Sequence, residues 1–273
     1  MHKTILITGS TDGIGLETAR LLAADGHRVL LHGRNPAKLE QTAASLCELA
    51  DPARIETYEA DLSRMPAVEA LAAAVTQRHE RLDVLINNAG IFKTADPVTA
   101  DGLDVRFAVN TLAPYLLTQR LMPLLGPASR VINLSSAAQS PVDLHALCGE
   151  LRLDDDFNAY AQSKLAITLW SRHLAGELGE EGPMVVAVNP GSLLASKMVR
   201  EGFGVAGNDL RIGADILLRA ALSDEFADVS GAYYDNDAKA FADPHHDALD
   251  AAKTAGVVRA IESVLARLGT RAE

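Results

Sequence analysis

Short, nearly continuous apolar stretches occupy residues 3–8, 28–32, 54–59, 84–87, 130–134, 185–189 and 232–234. Between them lie longer segments whose apolar residues recur at helical spacing, among them 14–24, 37–49, 68–78, 104–121 and 159–178. Strands alternating with helices predict βαβ units and a parallel sheet. The strand-like runs are not interleaved with polar residues, which predicts cover on both faces of the sheet. The pattern therefore specifies an α/β domain, doubly wound, with a seven-stranded parallel sheet flanked by helices. No repeat or low-complexity linker divides the chain, and the alanine-rich patches at 43–44 and 72–74 are good helix. A length of 273 residues suits one large α/β domain better than two small ones.

The first strand runs into Thr8-Gly9-Ser10-Thr11-Asp12-Gly13-Ile14-Gly15, and an apolar-periodic helix follows with Leu16, Ala19, Leu22 and Ala23. Strand, glycine-rich turn and helix in that order form the setting in which backbone N–H groups and a helix N-terminus meet a pyrophosphate. Gly9 suits the tight turn, Gly13 lets backbone approach a phosphate, and Gly15 lets the helix sit close to the sheet. This loop is expected to bind a dinucleotide.

A second constellation lies in Asn158-Ala-Tyr160-Ala-Gln-Ser163-Lys164. On a helix, Tyr160 and Lys164 share a face. A phenol ordinarily titrates near about 10. A nearby ammonium favours the phenolate and brings proton exchange toward neutrality. Tyr-x-x-x-Lys alone also occurs on solvated helix faces, so its weight comes from the glycine loop upstream.

Together the two segments resemble the short-chain dehydrogenase/reductase family. Asp61-Leu62 after the third strand resembles that family's adenine-contacting pair, and Asn87-Asn88-Ala89-Gly90 resembles its signature after the fourth. Asn110 falls at the family's structural and catalytic Asn. Ser135-Ser136 follows the fifth strand, with Ser136 in the catalytic place. Asn189-Pro190-Gly191 follows the sixth. The match covers about residues 3–235 in the family's order.

The resemblance implies a single-domain Rossmann-like oxidoreductase that moves a hydride between nicotinamide and a carbonyl or alcohol substrate. Tyr160 would exchange the proton, Lys164 would tune it and hold the nicotinamide ribose, Ser136 would hydrogen-bond the substrate oxygen, and Asn110 would hold a relay water. The alternatives are an NAD-preferring alcohol dehydrogenase and a catalytically silent dinucleotide-sensing regulator on the same fold.

Cofactor choice turns on the end of the second strand, Val29-Leu-Leu-His32-Gly33-Arg34. NAD-preferring folds place an acid there for the ribose 2′-OH, whereas an Arg accommodates the 2′-phosphate of NADP. Arg34 favours NADP, with NAD as the alternative, and Asp12 weighs slightly the other way. After Gly191, direct counting puts Ala195 where the family has a carboxamide-contacting Thr. A one-residue insertion puts Ser196 there, which is the preferred assignment.

Ser136 and Tyr160 stand 24 residues apart, and the stretch 139–157 is expected to be an active-site insert. Such an insert, with the tail Ser230-Gly-Ala-Tyr-Tyr234-Asp235, resembles the retinol-dehydrogenase-like and protochlorophyllide-reductase-like branches. The acids Asp154 to Asp156 read better as a turn or helix cap than as a site for a cationic substrate. Residues 193–207, with Gly202, Gly204 and Gly207, read as a substrate lid.

Net charge is −11, against a nucleic-acid or anionic-membrane partner. Cys47 and Cys148 suggest neither a disulfide framework nor a metal site, and His245-His246 reads as a surface turn. No run long enough to cross a membrane occurs, and the chain starts in a strand with no signal-peptide pattern, so a cytoplasmic protein is expected. Pairing as a homodimer or homotetramer through 159–178 is expected from the family resemblance.

Overall fold

In the computed structural model, which describes residues 2–269, the chain runs β1 (Thr4–Ile7), α1 (Gly13–Ala24), β2 (Arg28–Gly33), α2 (Pro36–Cys47), β3 (Ile55–Glu59), α3 (Met65–Arg78) and β4 (Val84–Asn87). It continues through α4 (Val105–Phe107), α5 (Ala113–Leu121), β5 (Arg130–Leu134), α6 (Leu144–Leu147), α7 (Asp156–Leu178), β6 (Met184–Asn189), α8 (Lys197–Phe203), α9 (Leu210–Leu222), β7 (Tyr233–Asp235), β8 (Ala240–Ala242) and α10 (Ala251–Arg267). The strands form one sheet in the order β3-β2-β1-β4-β5-β6-β7-β8. All neighbours are parallel except β7 and β8.

Adjacent strand residues point to opposite faces, and both faces are covered. Ile5, Ile7, Val29, Leu31, Ile86, Ile132 and Val186 pack with α1 and α9. Leu6, Leu30, Leu85, Val131 and Val185 pack with α3, α5, α7 and α10. Local chemistry sets the helix starts. The Asp12 carboxylate accepts from Gly13 N at 2.8 Å, Asn35 Oδ1 accepts from Lys38 N at 3.0 Å, and Asp155 accepts from Asn158 N at 2.8 Å. Each side chain satisfies a backbone donor that has no partner in the helix.

Four features depart from the sequence pattern. The seven parallel strands are joined by an eighth, β8, which folds back antiparallel on β7 through a turn where Lys239 has φ 55°. The continuous helix expected over 104–121 is broken, with a π-helical segment at Ala108–Leu112 between α4 and α5. Pro114 has no N–H to return to the Asn110 carbonyl four residues back. The Ala113 N–H instead reaches Ala108 O, five residues back. Residues 193–207 contain a helix, α8, capped by Ser196 and ended by Gly204 in the left-handed region. The middle of the 139–157 stretch is core: Ala146 and Leu147 are buried beside α10.

The switch in strand order between β1 and β4 opens a crevice at the carboxyl ends of the central strands, the place where this kind of sheet binds ligands.

Candidate active site

The glycine loop hangs between β1, β2 and β4. Gly9, at φ 66°, adopts a backbone that glycine tolerates best. A methyl group there would come within 2.9 Å of Ala89 Cα. Thr8 Oγ1 accepts from the N–H groups of Asn88 and Ala89, each at 3.0 Å, and Asn88 Nδ2 donates to Thr8 O at 2.8 Å. Gly15 faces Gly9 O and Asn88 Nδ2, and a methyl there would lie 2.4 Å from both. Ser10 Oγ is turned away from the crevice, donating to His32 O and accepting from His32 N. Gly33 makes room for the Thr11 methyl, 2.6 Å from where a Cβ would stand. Its small size therefore seats the loop on the β2 tip.

His32 is a part of this frame that carried no role in the sequence reading. It is buried, its Nδ1 accepts from Gly9 N at 3.0 Å, and its Nε2 faces Ala60 O at 3.1 Å. That pattern requires the neutral ring with the proton on Nε2. Burial lowers its pKa to about 4, against the smaller raising effects of the Ala60 carbonyl and Asp61.

Tyr160, Ser163 and Lys164 project from α7 toward the ends of β4 and β5. The Lys164 ammonium donates to Leu134 O at 2.7 Å and lies 5.7 Å from the Tyr160 ring centroid. Burial lowers its pKa to about 8. The Tyr160 phenol is pushed up by burial and pulled down by its hydrogen bond with Ser136. The expected acidification by Lys164 is thus not what governs the phenol here, because the ammonium is turned to the strand end and desolvation dominates. Ser135 is structural, its hydroxyl bonded to Lys164 O at 3.0 Å and Thr168 Oγ1 at 2.7 Å. The second serine is the one beside Tyr160.

Asn110 sits in the π-helical segment with both ends of its amide engaged. Oδ1 accepts from Ile91 N at 2.8 Å, and Nδ2 donates to Ile91 O and Ser163 Oγ, each at 2.9 Å. The side chain therefore clamps the loop after β4 to α7, and the main-chain carbonyl is the atom Pro114 leaves without its usual donor. A methyl at Gly90 would stand 3.5 Å from both Asn110 Oδ1 and Lys164 Nζ. Gly90 is thus a floor in ordinary contact range of the chemical groups, with Met198 Cε of α8 3.7 Å from the same point.

The remaining expected residues lie around this floor. Asp61 accepts from Ser63 N and Oγ, and Leu62 is buried in the core, leaving main-chain atoms as its contribution. Pro190 O accepts from Asn236 Nδ2 at 2.9 Å, and Gly191 N donates to Asn189 Oδ1 at 3.2 Å. Ser196, rather than Ala195, faces the glycine loop: its Cβ is 3.6 Å from a methyl placed on Gly13. The base of the α8 segment is pinned by Ala195 N to Asn208 O at 2.7 Å and Asn208 N to Leu193 O at 2.6 Å. Gly202 of α8 lies against Phe92, whose ring is 5.2 Å from that of Tyr160 and 6.3 Å from that of Phe157. Arg34 is exposed at the β2 tip and makes no hydrogen bond or ion pair with another described residue. Of the acids in the insert, Asp155 caps α7 and Asp156 pairs with Arg106. His245, His246 and Asp247 each offer a ligand atom within 4.8 Å of the others. Two of those residues already have partners: Asp247 Oδ1 pairs with Lys253, and His245 Nδ1 accepts from Asp247 N.

The family profile described as short chain dehydrogenase matches residues 3–203. The chain belongs to the short-chain dehydrogenase/reductase family. It is 33% identical over 251 residues to retinol dehydrogenase 13 of Homo sapiens, covering 85% of this chain and 76% of that one. The fold is similar to an uncharacterized protein from Mycobacterium paratuberculosis, with TM-score 0.80, 29% identity and coverage of 96% and 92% of the two chains. A short chain dehydrogenase from Burkholderia cenocepacia in complex with NADP superposes with TM-score 0.68 at 26% identity, covering 85% of this chain and 95% of that one. As a family member the chain is an oxidoreductase acting on CH–OH or C=O groups. Its crevice fits a nicotinamide dinucleotide: the glycine loop presents backbone N–H groups at the start of α1, and Gly90 puts no side chain between that loop and Lys164.

Proposed function

We propose that the protein is an NADP(H)-dependent carbonyl reductase or alcohol dehydrogenase. Lys164 and Asn110 meeting at Gly90, with the hydrogen-bonded pair Tyr160 and Ser136 beside Lys164, support this reading. Gly9–Gly15, Asn88, Ala89, Gly90, Pro190, Gly191 and Ser196 would hold the dinucleotide, with Asp61 and Leu62 at its adenine. When bound, the cofactor supplies or accepts the hydride.

The chain's own groups handle the oxygen and its proton. With burial holding it above the usual phenol range, Tyr160 is neutral at pH 7 and carries the proton that a carbonyl oxygen needs on reduction. Ser136, whose single hydroxyl proton bonds that phenol, can turn it to the substrate oxygen as charge develops. Lys164 is mostly charged below about pH 8 and stabilises negative charge beside it. The Asn110 carbonyl takes the relay water, because its side-chain amide is fully used.

Preference for NADP is supported by Arg34, a guanidinium with no partner among the described residues at a strand tip that lacks an acid. Phe92 beside Tyr160, with Phe157 edge-on to Phe92, suits a substrate with an apolar body.

A panel of carbonyls and alcohols assayed with both cofactors tests the reading. Tyr160→Phe is expected to lower turnover by about 10²–10⁴-fold while NADPH binding, followed by nicotinamide fluorescence, stays near wild type. Retained turnover would refute the role of the phenol. Arg34→Ala is expected to weaken NADPH binding much more than NADH binding, and equal losses would remove the case for NADP.

A further inference from the structure

We propose that Arg106 is a positioning residue for this reaction, a buried brace that sets the Tyr160 end of α7 against the Asn110 segment. The proposal rests on the oxidoreductase reading above.

The Arg106 side chain is 1% exposed, yet a guanidinium keeps its charge at any physiological pH. Burying such a group is unfavourable unless its donors are used. Here they are. Nε donates to Asp104 Oδ1 at 2.8 Å, Nη2 donates to Asp104 Oδ2 at 2.6 Å, and Nη1 donates to Asp156 Oδ1. Asp104 is further fixed by accepting from Arg106 N at 2.8 Å. The two carboxylates belong to different parts of the chain. Asp104 precedes α4, whereas Asp156 is the first residue of α7.

The placement of this pair relates it to the chemistry. Arg106 stands four residues before Asn110, and Asp156 stands four before Tyr160. The ion pair is therefore one rung in a ladder joining the two segments. The next rungs are Asn110 Nδ2 to Ser163 Oγ at 2.9 Å and Thr111 Oγ1 to Ser163 O at 3.0 Å. Ser163 Oγ in turn donates to Tyr160 O at 2.7 Å. These upper rungs hold the second turn of α7. The Arg106 rung holds the first, the part of a helix whose backbone donors lack intrahelical acceptors and which opens most readily.

A buried ion pair contributes little net stability compared with apolar packing, but a forked guanidinium fixes distance and angle. Its value at this position is therefore geometric. It sets where the helix carrying the phenol begins relative to the amide and carbonyl of Asn110. Small misplacements of a reacting group cost large factors in rate.

Asp156→Asn tests this. The Asp156 side chain is 41% exposed, and Arg106 keeps its fork on Asp104, so the fold should persist. The expected result is a fall in kcat of roughly tenfold or more, with KM and NADPH Kd within about twofold of wild type. The limb of the kcat–pH profile that reports the phenol is expected to move. Amide exchange at residues 157–160 is expected to quicken without change in the sheet. Asp156→Glu should recover much of the rate. A kcat within about twofold of wild type, or a loss that merely follows NADPH affinity or Tm, would overturn the proposal. If the wild-type protein turns over nothing in the carbonyl panel, the oxidoreductase reading falls instead. The exchange measurement then still decides the brace, since unchanged protection of 157–160 overturns it.

Discussion

His32 shows how one side chain can be essential to the site without touching the chemistry. Its neutral ring ties the Gly9 N–H of the glycine loop to the Ala60 carbonyl beyond β3. Protonation would place an N–H against the Gly9 N–H and break that tie. Its folded pKa of about 4 lies below the unfolded value of 6.5. Between those values the unfolded chain binds the extra proton, so stability is fully present above about pH 6.5 and is lost as pH falls toward 4. The loss over that window amounts to about 3 kcal/mol. His32→Asn keeps an acceptor for Gly9 N and cannot titrate. Urea unfolding at several pH values is expected to show a shallower decline for the variant across that window. An unchanged slope would locate the acid sensitivity elsewhere.

The sequence made Tyr160, Lys164, Ser136 and Asn110 visible because their residue types and spacing carry chemistry by themselves. It could not show His32's role, which depends on where the ends of β1 and β3 come to lie. Nor could spacing show that the Lys164 ammonium turns to Leu134 O and leaves desolvation to set the phenol.

At the scale of the elements, the crevice is shaped as much by missing side chains as by those present. Two glycines separate folding from binding. A methyl at Gly15 would meet Gly9 O and Asn88 Nδ2 at 2.4 Å, well inside contact, with a backbone carbonyl that has nowhere to go. A methyl at Gly90 would meet Lys164 Nζ and Asn110 Oδ1 at 3.5 Å, an ordinary distance. Gly15→Ala is therefore expected to lower Tm by several degrees and to damage dinucleotide binding together with it. Gly90→Ala should leave Tm within a degree or two and weaken binding of the nicotinamide half alone. Thermal unfolding beside NADPH and ADP-ribose titrations separates the two cases, because ADP-ribose lacks the nicotinamide. Equal losses for both ligands in Gly90→Ala would count against its placement under the ring.

Most strands were legible as apolar runs. β8 was not, since Ala240–Ala242 is short and largely exposed, and a turn at Lys239 rather than periodicity creates it. The π-helical segment had a signal in Pro114, four residues after Asn110, but proline marks only that the ladder breaks and not how it is repaired. Residues 193–207 read as a substrate lid because of their glycines, and that reading gave no place for a helix within them. Gly204 is instead the stop of α8, and Ser196 is its start.

Across the whole molecule, α10 changes what α7 can do. The resemblance suggested that 159–178 pairs with a second copy. Within a single chain, however, every residue from Ala161 to Ser171 is already buried. α10 fills part of that cover, with Val257, Val258, Ile261, Val264 and Leu265 in the same core as Leu165, Leu169 and Trp170. Tyr115 of α5 stacks edge-on against Trp170 and donates to Glu262 of α10 at 3.0 Å, so three helices are joined at one point. This stretch of α7 has no free face, so pairing through 159–178 would rest on Arg172, His173, Gly176, Glu177 and Leu178, which stay wholly or partly exposed.

The same geometry makes α10 a support for the catalytic helix from behind. Apolar burial contributes about 1.5–3 kcal/mol per side chain, so the α10 stripe is comparable with the net stability of an ordinary domain. Deleting α10 should therefore prevent stable folding, whereas a single truncation within it is informative. Ile261→Ala is expected to cost about 2–5 kcal/mol, read as a lower urea midpoint. Ile261 lies in the core behind α7, far from the groups that meet substrate, so kcat and NADPH affinity measured below the unfolding transition should match wild type. Sedimentation velocity on the same samples should give the same mass for both proteins. A variant that loses dimers instead of stability would mean that α10 meets a partner rather than α7.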